Sequence, residues 1–242
     1  MVGIETNKLR YLFAWSTHFF TSLGAVCGFL AIIEIGRHEW FWAFIWMALT
    51  VFIDSIDGFF ARMYRVKELI PNFDGALLDN IIDYFTYVIV PASFLYEANI
   101  VPQKLNLVSA FMITISSAYQ FCQKDAKTED HWFKGFPSYW NIVIFYLYML
   151  ELPAIANFLI ILILTVLIFV PFYYLYPSRT SVYPLLNVLL VIGWALCISI
   201  SMFLYPKHKI LIYFSLLYVI YYFVFSIYWS YKRKRVQSQC RY

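Results

Sequence analysis

Seven stretches of this chain, near residues 12–34, 40–62, 76–97, 104–122, 157–176, 184–204 and 209–231, are almost wholly apolar. Each is about the 20 residues that a helix needs to cross the roughly 30 Å hydrocarbon layer of a bilayer. Inside that layer backbone polar groups are satisfied only within helices or closed barrels. A shorter run near 138–153, SYWNIVIFYLYMLEL, makes an eighth, or the total is seven if the fifth run is re-entrant. The composition agrees, with 62% hydrophobic and 13% charged residues, where a soluble domain is about half apolar and a quarter charged. The expectation is an all-α integral membrane protein of about eight transmembrane helices, forming a single domain over 1–242. The N-terminus lacks a small-residue cleavage site, so the first run reads as a span and not a removable leader.

Orientation follows from the loop cations. With eight spans, one side carries Lys8, Arg10, Arg62, Arg65, Lys67, Lys124, Lys127, Lys134, Arg179, Lys232, Arg233, Lys234, Arg235 and Arg241, fourteen in all, and the other carries four, Arg37, Lys104, Lys207 and Lys209. That asymmetry predicts both termini on the cytoplasmic side, with the terminal YKRKR anchored at anionic headgroups. The longest polar loop, 123–137, offers no platform for nucleic acid. Cys27, Cys122, Cys197 and Cys240 form no CxxC pair and read as packed or tail thiols.

Against this background four aspartates stand out. Asp54 and Asp57 lie in the second run, and Asp79 and Asp83 in the third. Asp54 precedes the inner end of its span by eight residues, roughly 12 Å of helix. Asp54, Asp57, Gly58 and Ala61 fall on one helical stripe, and Gly75, Asp79 and Asp83 on another. Pairing the two helices antiparallel brings Asp54 opposite Asp83 and Gly58 opposite Asp79, with small residues keeping the level narrow. Clustered carboxylates beneath the headgroups repel one another and are poorly solvated. Protonation relieves this, as does a hard divalent cation held by the oxygens; a pair of such ions would clamp a phosphate diester or anhydride. The competing reading is a proton or sodium pathway in a transporter.

The string D-x-x-D-G-x-x-A-R (Asp54, Asp57, Gly58, Ala61, Arg62), then twelve residues, then G-x-x-x-D-x-x-x-D (Gly75, Asp79, Asp83), resembles the signature of the CDP-alcohol phosphatidyltransferase family. The twelve-residue spacer, AWSTHFFTSLGAVCGFLAI, FKGFPSYWNIVIFYL and YPSRT are similar to the bacterial members that use choline. The resemblance implies transfer of the phosphatidyl group of CDP-diacylglycerol to choline, with release of CMP, in the bacterial inner membrane by a homodimer whose active site faces the cytoplasm. It implies Asp54, Asp57, Asp79 and Asp83 as ligands of Mn²⁺ or Mg²⁺ in a two-metal site, and Asp83 as the base on the hydroxyl. It implies Thr21, Gly58, Ala61, Arg62, Gly75 and Arg179 at the CDP-diacylglycerol. Many members carry Asn where this chain has His18. Serine is the closest alternative acceptor.

Choline's quaternary ammonium cannot donate a hydrogen bond and is held by aromatic faces. The nominees are Tyr139, Trp140, Tyr84 and Tyr119, with Tyr87, Tyr146, Tyr183 and Glu97 behind them. GAVCG, Gly24 to Gly28, is a small-xxx-small string expected to pack helices closely, beside Gly58. Asp74 reads as solvated, and His131 and His208 as loop residues without a role.

Overall fold

The structure, a computed structural model, describes residues 2–239 apart from 129, 178, 181 and 206–208, and side chains from residue 8 to 233. Lys207, His208, Cys240 and Arg241 lie outside the described residues, as do the side chains of Lys234 and Arg235. The chain divides into two compact units, Met1–Asn99 and Ile100–Tyr242.

In the first unit, α1 (Val2–Gly36) turns back through Arg37–Glu39 into α2 (Trp40–Met63). Ala14, Ala31 and Ala43 are wholly buried along these helices, because a methyl side chain lets two helix axes approach. α2 ends where Arg65 takes a left-handed conformation (φ 49°). A single turn, α3 (Val66–Leu69), then tucks Val66 and Ile70 against Ala14. The third apolar run is continuous helix in three parts: α4 (Gly75–Tyr84), a π-helical turn (Phe85–Ile89) and α5 (Val90–Ala98). Asp74 starts it as N-cap, its carboxylate accepting the Leu77 N–H at 3.0 Å. α1 packs along α2, α4, the π-turn and α5, while α2 and α4 share few backbone contacts with each other. Phe94, on α5, packs against Phe44 and Trp40 near the start of α2, with centroids 4.7 and 5.0 Å away.

The second unit holds α6 (Asn106–Cys122), β1 (Trp132–Lys134), α7 (Trp140–Leu150), α8 (Ala154–Phe169), β2 (Tyr173–Leu175), α9 (Pro184–Leu204) and α10 (Ile210–Gln239). The two strands pair antiparallel, with Phe133 opposite Tyr174, a short exception in a mostly helical chain. The apolar run 157–176 does not continue as helix to its end: Val170 is extended before Pro171, a residue that disfavours helix in its predecessor. The free edge of β2 is covered by α10, where Ser226 and Ser230, one turn apart, accept the N–H groups of Leu175 (3.1 Å) and Tyr173 (2.7 Å). Gly135 follows β1 with φ 81°, and a Cβ there would lie 2.2 Å from the Ile168 carbonyl oxygen, so only glycine fits.

Among the described residues, five helices are long and apolar enough to cross a membrane: residues 8–36, 40–63, 103–122, 184–204 and 210–233. The third run reaches comparable length when its three parts are read together. α7 and α8, with 11 and 16 residues, extend only about 16 and 24 Å at 1.5 Å per residue, short of a perpendicular crossing.

Candidate metal centre

The motif residues all belong to the first unit. Asp54 and Asp57 come from the C-terminal half of α2, and Asp79 from the second turn of α4. One carboxylate oxygen from each lies within 4.8 Å of the others. Asp57 is buried, and Asp54 and Asp79 are half-buried. Opposite oxygens around an ion with bonds of 2.0–2.6 Å are about 4–5 Å apart, so this donor set has the span and the hard-oxygen chemistry that Mg²⁺ or Mn²⁺ requires. The residues present fit a divalent cation.

Asp54 has support behind it. The Tyr87 phenol donates to Oδ2 of Asp54 at 2.7 Å. Thr21 on α1 is buried and donates its hydroxyl to the Thr17 carbonyl at 3.2 Å, with its side chain near Asp57. Asp83, one turn beyond Asp79, is half-buried and lies outside the converging triad. Asp79 meets Asp57 and Asp54, and the phenol of Tyr87 stands against Asp54. α2 and α4 both pack on α1 and share few backbone contacts with each other.

α1 sets that spacing with its glycines. A Cβ on Gly28 would sit 2.7 Å from the Phe85 ring, and one on Gly24 3.0 Å from Ile82 Cγ2. GAVCG thus packs closely, as its small-xxx-small pattern predicts, but against α4 and the π-turn. Gly75 has a comparable reason: its Cβ would lie 2.6 Å from Cε1 of His18. The His18 ring is buried, 4.4 Å from the Phe73 centroid and 5.9 Å from that of Trp15, and its Nε2 makes no hydrogen bond among the described residues. Gly58 and Ala61 are half-buried on the acid-bearing helix, and Arg62 is exposed at its end. Asp74 is exposed and committed to capping α4.

The remaining nominees are described within their own units. Tyr84 is half-buried in the last turn of α4. In the second unit, Trp140 is wholly buried, donates its indole N–H to Ser117 Oγ at 2.7 Å and packs edge-on against Phe136. Tyr139 is half-buried beside Phe133, and Tyr119 is exposed with its ring 4.9 Å from that of Phe169. Arg179 is exposed and lies over the Tyr176 ring at 5.4 Å. Tyr146 bonds Ser215 and Trp194, joining α7, α9 and α10.

Two relationships escaped the sequence. Tyr87 counts there only as an aromatic nominee, although its place four residues after Asp83 continues the Asp79–Asp83 stripe. The Asp130–Arg233 ion pair, with Arg233 also over the Tyr173 ring at 4.7 Å, gives the basic tail a partner in the 123–137 loop.

Comparison with known proteins bears on this geometry. Residues 16–176, which include every acid of the triad, match the CDP-alcohol phosphatidyltransferase family. The chain is 48% identical over 171 residues to a phosphatidylcholine synthase of Legionella pneumophila, covering 70% of this chain and 67% of that protein. It is 38% identical over 181 residues to one of Agrobacterium fabrum, covering 75% of each chain. It is 34% identical over 193 residues to one of Pseudomonas aeruginosa, covering 80% and 81%. With its acid motif folded into a converging carboxylate site inside the matched segment, the chain belongs to the CDP-alcohol phosphatidyltransferase family.

Proposed function

We propose that this protein is a phosphatidylcholine synthase, transferring the phosphatidyl group of CDP-diacylglycerol to the hydroxyl of choline and releasing CMP. The observation that carries the chemistry is the convergence of Asp54, Asp57 and Asp79 within 4.8 Å at the family's motif. The choice of choline is supported by relatives that share this printed activity at 34–48% identity. A match that runs across the boundary at residues 99 and 100 supports reading the chain as one domain.

Asp54, Asp57 and Asp79 would hold a divalent cation, Mn²⁺ or Mg²⁺, and Asp83, one turn along α4, would serve a second. Bound cations supply positive charge to the pyrophosphate as electrons move onto the departing CMP. Asp83 serves as general base. It takes the choline hydroxyl proton as the oxygen bonds to the lipid-side phosphorus, and the bond from that phosphorus to the CMP oxygen breaks. Thr21 is a candidate contact of the CDP-diacylglycerol. Gly58 and Ala61 present a low surface to the nucleotide, Gly75 seats α4 against α1, and Arg62 and Arg179 offer fork-shaped donors to phosphate. Tyr84, Tyr119, Tyr139 and Trp140 remain the aromatic nominees for the ammonium.

Eight crossings, with both termini and the acid site toward the cytoplasm of the bacterial inner membrane, are supported by the fourteen-to-four distribution of basic residues. On this topology the short α7 and α8 cross with the help of flanking polar segments. The homodimer rests on family resemblance alone.

Purified protein given CDP-diacylglycerol, Mn²⁺ and one of choline, serine, ethanolamine, inositol or glycerol 3-phosphate tests the reading, with lipid products separated by chromatography. Phosphatidylcholine from the choline reaction alone is the expected result. Phosphatidylserine with no phosphatidylcholine would make serine the acceptor, and ion uptake into sealed vesicles without any CMP would favour transport.

A further inference from the structure

We propose that Tyr87 is a positioning residue for the cation site, acting through Asp54; this rests on the cation reading given above. Tyr87 lies beyond the family motif, which ends at Asp83, and belongs to the π-helical turn Phe85–Ile89. Its phenol and the Asp54 carboxylate come from residues 33 apart in sequence, yet meet at 2.7 Å. Tyr87 is buried, so water does not readily replace that bond. An O–H···O contact of this length is at the upper edge of the range for hydrogen bonds to an ionised acceptor.

The π-turn explains how the phenol arrives there. In an ordinary helix of 3.6 residues per turn, each four-residue step overshoots by about 40°. Asp79, Asp83 and Tyr87 would therefore drift off one line. A turn closed by i→i+5 bonds is wider and takes up part of that drift, which keeps Tyr87 on the side of α4 that faces α2. Insertions of this kind recur at functional sites.

The consequence for the site is orientational. A carboxylate attached through two rotatable bonds can turn either oxygen, or neither, toward an ion. With Oδ2 engaged by Tyr87, Asp54 is held in one orientation, and the ordering cost is met during folding and not at metal binding. Partners of this kind change metal affinity by about 10–100-fold when removed.

The test is a Mn²⁺ titration of the purified full-length protein without donor or acceptor, with free Mn²⁺ read by electron paramagnetic resonance. Four proteins are compared: the natural sequence, Tyr87→Phe, Asp54→Asn and the double variant. Tyr87→Phe is expected to weaken Mn²⁺ binding by about tenfold or more, with the metal-free thermal midpoint nearly unchanged because the ring remains. The double variant is expected to bind no more weakly than Asp54→Asn alone, since Tyr87 works through that carboxylate. In turnover, the Mn²⁺ concentration for half-maximal CMP release should rise by the same factor, with kcat recovering at saturating metal. Unchanged Mn²⁺ affinity in Tyr87→Phe, full multiplication of the two effects in the double variant, or failure of Tyr87→Phe to fold would each overturn the proposal. Absence of Mn²⁺ binding by the natural sequence would remove the cation reading as well, so the two failures are distinguishable.

Discussion

Replacing Gly75 with alanine places a methyl carbon 2.6 Å from Cε1 and 3.3 Å from Nδ1 of His18. Carbon atoms pack best at about 3.5–4.0 Å, so the pair must separate by about 1 Å. The His18 ring has little room to yield, because it is buried between Phe73 and Trp15. Much of the displacement therefore falls on the start of α4, and a helix carries it along its axis to Asp79, one turn later. Overpacking of this size costs about 1–3 kcal/mol of stability. The functional cost is larger, because metal sites tolerate about 0.2 Å and a 1 Å misplacement at a reacting centre can cost about 100-fold in rate. Gly75→Ala should thus fold, melt a few degrees lower, and release CMP about 100-fold more slowly. The diagnostic comparison is the same substitution in a His18→Ala background, where the obstructing ring is gone. There Gly75→Ala should cost less than about tenfold in CMP release. An equal cost with and without the His18 ring would refute the packing account and make Gly75 a direct contact of the substrate.

Asp83→Asn should abolish CMP release while leaving Mn²⁺ binding at the triad largely intact, whereas Asp57→Asn should remove most of that binding; a titration beside a turnover assay separates the two. Gly28→Leu, pressed against Phe85 and Thr86, should lower the thermal midpoint more than Gly36→Leu, since Gly36 has open space at its Cβ position. Trp140→Phe leaves the buried Ser117 hydroxyl without its donor and should destabilise the protein by about 1–3 kcal/mol; an unchanged thermal midpoint would contradict this. The Asp130 carboxyl is held below its ordinary value, first by its hydrogen bond from Arg233. Its contribution is therefore complete above the ordinary carboxylate range near pH 4 and is lost as pH falls through the lowered value. Melting curves from pH 3 to 6 should show this acid-side loss, and Asp130→Asn should remove that part of it.

The acids were legible because charge in an apolar run is conspicuous, and because two stripes of i, i+3 and i, i+4 spacing point each set one way. Their mutual arrangement was less so. Pairing rules treat helices as rods, and nothing in the sequence says that α1 separates the backbones of α2 and α4. The π-turn left no mark, since Phe-Thr-Tyr-Val-Ile reads as ordinary apolar helix, and with it the meeting of Tyr87 and Asp54 stayed hidden. The β1–β2 sheet was hidden by its brevity: three residues within an apolar run resemble the end of a span, although Pro171 marked the place where α8 had to stop. The glycines of α1 were recognisable as packing residues, but their partners, Ile82 and Phe85, depend on tertiary placement. The pairing of Asp130 with Arg233 joins positions far apart in sequence, and such pairs carry no local pattern.

The most direct test of the central claim is CMP release from CDP-diacylglycerol by the purified protein, measured with and without choline and with and without divalent metal. The account predicts release only when choline and Mn²⁺ or Mg²⁺ are both present, stopped by chelation and restored by added metal. Undiminished choline-dependent release after complete chelation would contradict it.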